Sequence, residues 1–549
     1  MNAREITYYD VSPFAASSAT VQKNLNEIQA FSQPEKLFEK DIVYKKIQTC
    51  EHNYTVLDGT HIEFSDGENI ALWSKTLSAN STRLLSQSVT LDISFGGLQN
   101  SPGLTLTFDE QSNTWCDTVN IKWLGNNNTL LSEKNFYPDS PVYSCINRVD
   151  LYNRVQIKFT RMNLPYRYLR LESVMMGIVR VFTDGELENL TINEGFDPTN
   201  RTMFINSANF TINTKDIVPY MFMKRQPLHI KYGEKYMGAY YIDRSQRFAD
   251  RRFTVEAVDK IGVLDASDDF MGGIYNNNIS AETLVKNIVD GMFDVEVASG
   301  LKNINISGWL PVMKRRDALA QVALAIGAFV DTTRSDIIAV KALPAGGSVS
   351  LINKNRVYQS SSVDTEFPFT GIELIEHNFT AGTSSKELYS DTFSGQKTVI
   401  FSEPASNFTI ENGTVISSGA NYAVITSAGS AVCTLRGRVY IDNKNSVTVK
   451  NSNVIEGTRE KTEKIENCWL VNKSNSQAVA QRLYNYYLRQ NLWDGDFLVN
   501  PSQFERIGEK VKIATVFETD GGYITGQTEK LTLNLGSKNI KARGIIRSD

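Results

Sequence analysis

The feature that most constrains this chain is a series of period-2 runs between residues 51 and about 182. Apolar side chains alternate with polar ones in Val89, Leu91, Ile93, Phe95, then in Leu104, Leu106, Phe108. The same rhythm returns in Val119, Ile121, Trp123 and in Val155, Ile157, Phe159. Successive side chains of a strand point to opposite faces, so each run reads as a strand with one buried face. Gly96-Gly97, Ser101-Pro102-Gly103, Gly125-Asn126-Asn127-Asn128 and Pro138-Asp139 read as the turns between them. Many short strands at this spacing predict a β-sandwich over 51–182.

The rest of the chain is expected to divide as follows. Residues 1–50 form an N-terminal arm broken at Pro13 and Pro34, with a short amphipathic helix over Val21 to Phe31. Residues 183–270 carry strand runs at Met203 to Ile212, His229 to Tyr232, Met237 to Ile242 and Phe253 to Val258. Residues 271–345 add two helices. Ser280 is the N-cap of one that runs to about Met292. The other follows Arg316, with Leu319, Val322, Ala323 and Ile326 on one face, and stops at Gly327. Residues 346–475 return to strands, at Phe408 to Ile410, Val415 to Ile416, Ala423 to Ile425 and Val447 to Val449. Residues 476–549 hold a helix over about Gln477 to Gln490, carrying Val479, Leu483, Tyr486 and Tyr487, and a closing β section. The fold class is thus multidomain and mainly β with a few helices.

Composition narrows the function. The 549 residues suffice for about three or four domains at about 150 residues each. Hydrophobic residues at 41% and charged residues at 21% predict packed cores rather than wholesale disorder. Lys plus Arg is 57 against 61 for Asp plus Glu, so the net charge of -4 argues against general nucleic-acid recognition. No apolar stretch approaches the roughly 20 residues of a membrane helix, and Met1 to Ser12 has no apolar leader core. No membrane anchor or secretory signal is expected.

Chemistry-bearing residues are sparse. Cys50, Cys116, Cys145, Cys433 and Cys468 are odd in number and widely spaced, which is not a disulfide framework or a thiolate zinc pattern. They read as small buried apolar residues, although Cys116 and Cys145 both fall near strand runs and could approach one another. His52, His61, His229 and His377 form no metal-ligand spacing. His61-Ile62-Glu63 lacks the P-C-x-x-C that a zinc deaminase needs. Phosphate-loop, dinucleotide and nucleophile-elbow motifs are missing. Asp265-Ala-Ser-Asp268-Asp269 reads as a solvated acidic loop rather than a catalytic carboxylate pair. No enzyme, cofactor or metal site is predicted. A wall hydrolase or endopeptidase would need a nucleophile, metal set or acid pair that the residues do not offer.

Two segments share a rhythm. Pro227-Leu-His-Ile-Lys-Tyr-Gly, Gly238-Ala-Tyr-Tyr-Ile and Phe253-Thr-Val-Glu-Ala-Val form one. Glu509-Lys-Val-Lys-Ile-Ala-Thr, Gly522-Tyr-Ile-Thr-Gly, Leu531-Thr-Leu-Asn-Leu and Ile540 to Ile546 form the other. Each gives an alternating strand, a Gly-started strand with Tyr-Ile, and another alternating strand. Two related barrels in one chain would let a trimer place six similar barrels round an axis, matching a six-fold tube.

Several stretches resemble phage tail-hub and baseplate proteins of Gram-positive bacteria. Trp309-Leu-Pro-Val-Met-Lys-Arg-Arg-Asp through Thr332-Thr-Arg-Ser-Asp336 is one. Others are Asp184-Gly185-Glu186, Asp197-Pro198 and Met223-Lys-Arg-Gln-Pro, then Phe504-Glu-Arg-Ile-Gly-Glu-Lys-Val-Lys-Ile with Gly522-Tyr-Ile-Thr-Gly. Together they span roughly 183–549. Leu104 to Leu171 resembles the discoidin-like, galactose-binding-type sandwiches inserted in clostridial phage tail proteins, through Leu104-Thr-Leu-Thr-Phe-Asp, Trp115-Cys, Asn120-Ile-Lys-Trp, Leu131 to Ser140 and Tyr166-Arg-Tyr-Leu-Arg-Leu. The resemblance implies a hub-like barrel at 183–270, a closing barrel at 476–549, and a structural role in the baseplate of a phage or a tail-like bacteriocin. It implies a homo-oligomer of three or six copies, with other baseplate and tail-tube proteins as partners. It also implies a chain made in the bacterial cytoplasm and released in the particle on lysis. Wall-digesting hubs usually carry an added catalytic module, and none is visible here.

Two groups of residues could do more than pack. Trp115, Tyr137 and Asp139 are candidate carbohydrate contacts for an adhesin role at the tail tip, since rings stack on sugars while carboxylates bond hydroxyls. Trp123 follows the inward period of Val119 and Ile121 and is expected in the core. Burial is also the favoured reading for Trp115 and Tyr137. Met221, Met223, Lys224 and Arg225 form a candidate assembly interface, an apolar and cationic cluster of the kind that makes hot spots. The competing and slightly favoured reading is a strand end entering the barrel core.

Overall fold

In the computed structural model the chain is mainly β with a few helices, arranged in several sheets. The structure describes residues 4–11, 15–22, 26–39, 42, 44–65, 67–197, 199–214, 222–342, 349–358, 360–365, 369–450, 461–500, 502, 504–515, 522–536 and 538–548. Two compact units emerge. One comprises 7–182 with 219–228, the other 1–6, 183–218 and 229–549.

The smaller unit is built on one seven-stranded sheet. Its order is Leu72–Trp73, Arg170–Met175, Leu84–Phe108, Val142–Met162, Cys116–Leu124, Leu130–Phe136, with Ala19–Gln22 added along Leu84–Phe108. The alternation read from sequence faces one core: Leu91, Ile93, Leu104, Leu106, Phe108, Val119, Ile121, Trp123, Val155, Ile157 and Phe159 are all buried there. Trp123 is 1% exposed, as its period requires.

Two expectations are corrected here. Gly96-Gly97 and Ser101-Pro102-Gly103 are not turns between strands. They lie inside the 25-residue strand Leu84–Phe108, where its register with Val142–Met162 slips between Ser94 and Gln99 and again on either side of Ser101. Glycine and proline here serve bulges, which bend a strand without ending it. Gly103 has φ +150, and a Cβ on it would lie 2.2 Å from the Cys145 carbonyl oxygen. The second correction is the helix over Val21 to Phe31. Ala19–Gln22 is a strand, with Val21 opposite Ile93. β-branched Thr20 and Val21 fit the pleat of the growing sheet better than an isolated helical turn. Ala15, Ile28 and Leu37 join the same core.

Ten strands of the large sheet fall, by their order in it, into two sets. The first set is β1 (Leu187–Gly195), β2 (Ser207–Asn213), β3 (Pro227–Tyr232), β4 (Lys235–Arg247) and β5 (Arg252–Val258). The second is β6 (Ser362–Thr365), β7 (Asn491–Leu498), β8 (Lys510–Ala514), β9 (Tyr523–Leu535) and β10 (Ile540–Ser548). The first is ordered β1-β2-β5-β4-β3 and the second β6-β7-β10-β9, with β8 on β9. Each strand of the second set therefore stands where its counterpart, five numbers lower, stands in the first.

Helices cover part of this unit. Ala281–Val289 is capped by Ser280, whose hydroxyl accepts from the Thr283 N–H at 3.2 Å. It stops at left-handed Asp290, two residues before the expected end. Arg315–Ile326 ends on Gly327 at φ 73, where a left-handed residue closes the helix. Leu284, Val285, Ile288, Leu319, Val322 and Ala323 share a core beneath them. Ser476–Tyr487 buries Val479 and Leu483 against Ile372 and Leu374. A further helix, Lys260–Asp265, is capped by Asp259.

Between β6 and β7 lies a four-stranded sheet made by Phe379–Ile400, Ala405–Glu411, Thr414–Ser418 and Tyr422–Asp442. It has its own core of Val399, Ala423, Ile425 and Leu435. Its two ends meet: Phe379 pairs with Asp442, and the Asn443 N–H donates to the Asn378 carbonyl at 3.0 Å.

Candidate functional site

The two five-strand sets share more than order. β4 and β5 pair as Tyr241 with Val258 and Ile242 with Ala257, then slip one residue so that Arg244 meets Glu256. β9 and β10 pair as Gln527 with Arg547 and Thr528 with Ile546, then slip so that Lys530 meets Ile545. Asp243 and Glu529 are thus equivalent extra residues, one bulge in each set. Aligning the bulges sets Ile242 with Thr528 and Arg247 with Leu533. The same alignment places Gly238 with Ile524, so the glycines that suggested the repeat are two positions out of step.

The sets are joined by β1 and β9. Thr191 lies opposite Asn534, Ile192 opposite Leu533, Asn193 opposite Thr532, Glu194 opposite Leu531 and Gly195 opposite Lys530. β9 is shared: its first half, Tyr523 to Gln527, takes β8, and its second half, past the bulge, takes β1. Leu531 and Leu533 are buried in consequence. The Thr532 hydroxyl donates to Asn193 Oδ1 at 3.0 Å, and the Thr191 hydroxyl to Asn534 Oδ1 at 3.0 Å.

A buried ion pair pins this joint. Both nitrogens of the Arg334 fork bond Glu194, at 3.0 and 2.9 Å, and Arg334 also donates to the carbonyls of Phe504 and Glu505. The Glu194 side chain has no exposed surface and that of Arg334 has 6%. Burial works against the Arg334 charge, but Glu194 more than offsets it and its pKa lies above the ordinary value. At the bulge, Glu529 accepts from the Tyr486 hydroxyl at 2.6 Å and lies 3.0 Å from Arg547 Nε. Burial and the Glu529 charge hold the Tyr486 phenol well above its usual range. Tyr486 and Arg547 line a cleft of about 360 Å³ with Asp197, Arg201, Tyr487 and Arg489.

In the smaller unit the candidate sugar contacts come together. The Trp115 indole N–H donates to the Pro138 carbonyl at 3.0 Å, which ties Trp115 to the Tyr137–Asp139 turn. Trp115 is half-buried on the core, Asp139 is exposed and Tyr137 is 64% exposed. Tyr137 is therefore outside the core, against the favoured expectation: it stands one residue past buried Phe136, where the alternation turns it outward. A second cluster is centred on buried Arg170 and Glu51. Arg170 pairs with Glu51, lies 3.7 Å from Asp109 and sits 4.3 Å from the rings of both Tyr54 and Trp73. Two residues on, burial and the charges of Asp109 and Glu110 push the Glu172 carboxyl up to about 8.

The candidate assembly segment splits. Phe222 is buried against Tyr8 and Phe182, with ring centroids at 4.7 and 5.8 Å. Met223, Lys224 and Arg225 face outward, Met223 with 59% exposure. Met221 lies outside the described residues. The outward trio runs against the expectation that this segment enters a core.

Among the described residues no group of three or more His, Cys, Asp or Glu could hold a metal ion. All five cysteines are free; four are buried, and Cys50 is exposed, unlike the expectation for it. Burial raises the Cys116 thiol to about 11 and that of Cys468 to about 12. No described helix is long and apolar enough to cross a membrane.

No family model matches the chain, and no curated protein matches it. Solved structures do. The 43 kDa tail protein of prophage MuSo2 from Shewanella oneidensis is 7% identical, with TM-score 0.42, over 67% of this chain and 94% of that one. The tail protein from Neisseria meningitidis MC58 is 9% identical, with TM-score 0.42, over 67% and 94%. Prophage tail protein gp18 from Listeria monocytogenes EGD-e is 10% identical, with TM-score 0.39, over 67% and 91%.

Sequence reasoning missed the Glu194–Arg334 anchor. A signal was present: Leu190, Ile192 and Glu194 keep one period, so Glu194 is a charge at an inward position, which demands a partner.

Proposed function

We propose that this chain is a structural component of the baseplate of a phage tail or tail-like bacteriocin, a hub or hub-like wedge that links the tail tube to peripheral and receptor-binding proteins. The observation that carries the reading is the pair of equivalent five-strand sets merged into one sheet through β1 and β9. A chain with two equivalent modules presents twice as many of them as it has copies, so three copies present six to a six-fold tube. The motif order of residues 183–549 and the strand-rich smaller unit support the same reading, of a baseplate of the Gram-positive type with a discoidin-like insert. Partners in this reading are other baseplate and tail-tube proteins and further copies of the chain, which is made in the cytoplasm and carried in the particle.

The test is immunogold electron microscopy of particles from the producing bacterium with antibody to this chain. Label confined to the distal end of the tail is expected, and particles without label would overturn the proposal. The exposed Met223, Lys224 and Arg225 are an assembly surface in this reading. Lys224→Glu with Arg225→Glu should lower incorporation into particles while the purified chain melts unchanged.

A second reading is a carbohydrate-binding role of the smaller unit at the tail tip. The exposed Tyr137 ring beside Trp115 and Asp139 favours it. Titration with cell-wall glycans should shift the tryptophan fluorescence of the full chain, and no binding at millimolar sugar removes this role.

A further inference from the structure

Beside Tyr137, two arginines of the smaller unit turn outward around one carboxylate. Cys116 and Val119 are buried, and the strand bulges between them: Cys116 lies opposite Met162 and Thr118 opposite Arg161, so Asp117 is an extra residue. Bulges re-aim side chains, and here Asp117 and Thr118 are both only half-buried. Asp117 Oδ1 accepts from Arg161 Nε at 2.6 Å and from the Thr118 hydroxyl at 3.0 Å, and its Oδ2 lies 3.4 Å from Arg83 Nη1. Arg83 Nη1 also donates to the Asn163 carbonyl at 2.9 Å, and its backbone is left-handed (φ 58), a conformation long side chains seldom take. The Asp117 side chain is 15% exposed, those of Arg161 and Arg83 39% and 37%. One carboxylate thus fixes two guanidiniums and leaves one positive charge over. Among the described residues nothing accepts from the Nη atoms of Arg161 or from Nη2 of Arg83. The sheet register brings the exposed ring to them. Phe136 lies opposite Val119, so Tyr137 stands level with Thr118, whose other neighbour is Arg161. Two strand spacings separate the Tyr137 and Arg161 backbones by about 10 Å, room for one sugar ring and a charged substituent.

We infer that this surface binds an anionic glycan, a sugar polymer that carries phosphate or carboxylate groups. The Tyr137 ring stacks on the apolar face of a sugar, Asp139 accepts from its hydroxyls, and the outward nitrogens of Arg161 and Arg83 hold the oxyanion. This rests on the carbohydrate-binding reading above and narrows its ligand class. A guanidinium offers paired donors in a rigid fork that matches the oxygens of a phosphate or carboxylate, and charge-assisted bonds of this kind are the strong ones. A neutral sugar engages Tyr137 and Asp139 alone and leaves the forks in water. Asp117 is a positioning residue. It orders two long side chains before the ligand arrives, so their rotamer entropy is not lost at the moment of binding.

The experiment titrates the full chain, by tryptophan fluorescence, with soluble cell-wall glycan in three forms: intact, dephosphorylated with hydrofluoric acid, and with its carboxyl groups amidated. At least one treatment should weaken binding about tenfold, the size expected for a lost charge-assisted contact, and the treatment that does so names phosphate or carboxylate as the oxyanion. Raising the salt to about 0.5 M should shrink the advantage of the intact glycan, since exposed charges are then screened. Arg161→Gln with Arg83→Gln should bind all three forms equally, at an unchanged circular dichroism spectrum; Arg161→Gln alone should lose most of the preference and serves if the pair does not fold. Asp117→Asn keeps both positive charges, so it should retain the salt dependence while binding the intact glycan more weakly; an unchanged affinity removes its positioning role. Tyr137→Ala should weaken every form, and an affinity indifferent to it marks a patch of charge and overturns the combined site. Three forms that bind the parent alike, or a double variant that keeps the preference, overturn the oxyanion site and leave the sugar reading standing. No binding of any form at millimolar sugar overturns both.

Discussion

The two five-strand sets have one order and one bulge each, yet they differ in what lies beyond the bulge. In the second set the inward positions are Leu531 and Leu533, fully covered by β1. In the first, the equivalent positions are Ser245 and Arg247, both exposed. The backbone plan is the same and the side chains follow the neighbour. Where β1 covers the edge, its inward side chains are apolar and buried. Where the equivalent positions are exposed, they are polar and cationic, as exposed strand edges require. The comparison separates what a repeat must conserve to keep its shape from what it can change to choose its neighbour.

The sharpest way to break the comparison is at the anchor of the closed joint. Removing the guanidinium with Arg334→Ala leaves Glu194 buried and unpaired, and such losses cost about 3–5 kcal/mol. Denaturant unfolding of the larger unit should show a loss of that size, and a variant as stable as the parent would mean that the joint stands without its ion pair. Next comes the apolar edge: Leu533→Ala should cost about 2–4 kcal/mol, since a fully buried side chain is truncated.

A smaller effect distinguishes paired from unpaired buried carboxylates. Glu194 has Arg334, whereas Glu172 has burial and two like charges against it. A raised folded-state pKa means that the folded chain holds a proton which the unfolded chain has released. Stability contributed by that proton is present at acid pH and is lost as pH rises toward about 8. Glu172→Gln should therefore melt near the parent at about pH 5 and above it at about pH 9. An equal gap at both values would place the Glu172 titration elsewhere. Least affected should be Arg247→Ala, within about 0.5 kcal/mol in the isolated chain, because that edge is exposed.

Much of the fold was legible in residue patterns. The strand runs around Leu91, Leu106, Ile121 and Ile157 could be read because their apolar side chains alternate into one core. The caps at Ser280 and Gly327 were legible because they act locally. The joint was not, since β1 and β9 are separated by more than 330 residues and nothing local says which edge meets which. The strand Phe379–Ile400 escaped notice because most of its side chains are exposed, so it carries little apolar rhythm. Bulges hid the true length of Leu84–Phe108, because glycine and proline punctuate a chain alike whether it turns or merely bends. Of the candidate sugar contacts, the turn placing Tyr137 was visible, but its exposure depended on where the alternation ended.

The four-stranded sheet between β6 and β7 enters and leaves its host at adjoining residues and brings its own core. Such an element behaves as a cassette. Recombination that cuts at Asn378 and Asn443 can exchange it without threading new chain through the host, because the host already holds those two residues side by side. Replacing residues 379–442 would therefore change the surface they offer and leave the strands of the two five-strand sets as they are.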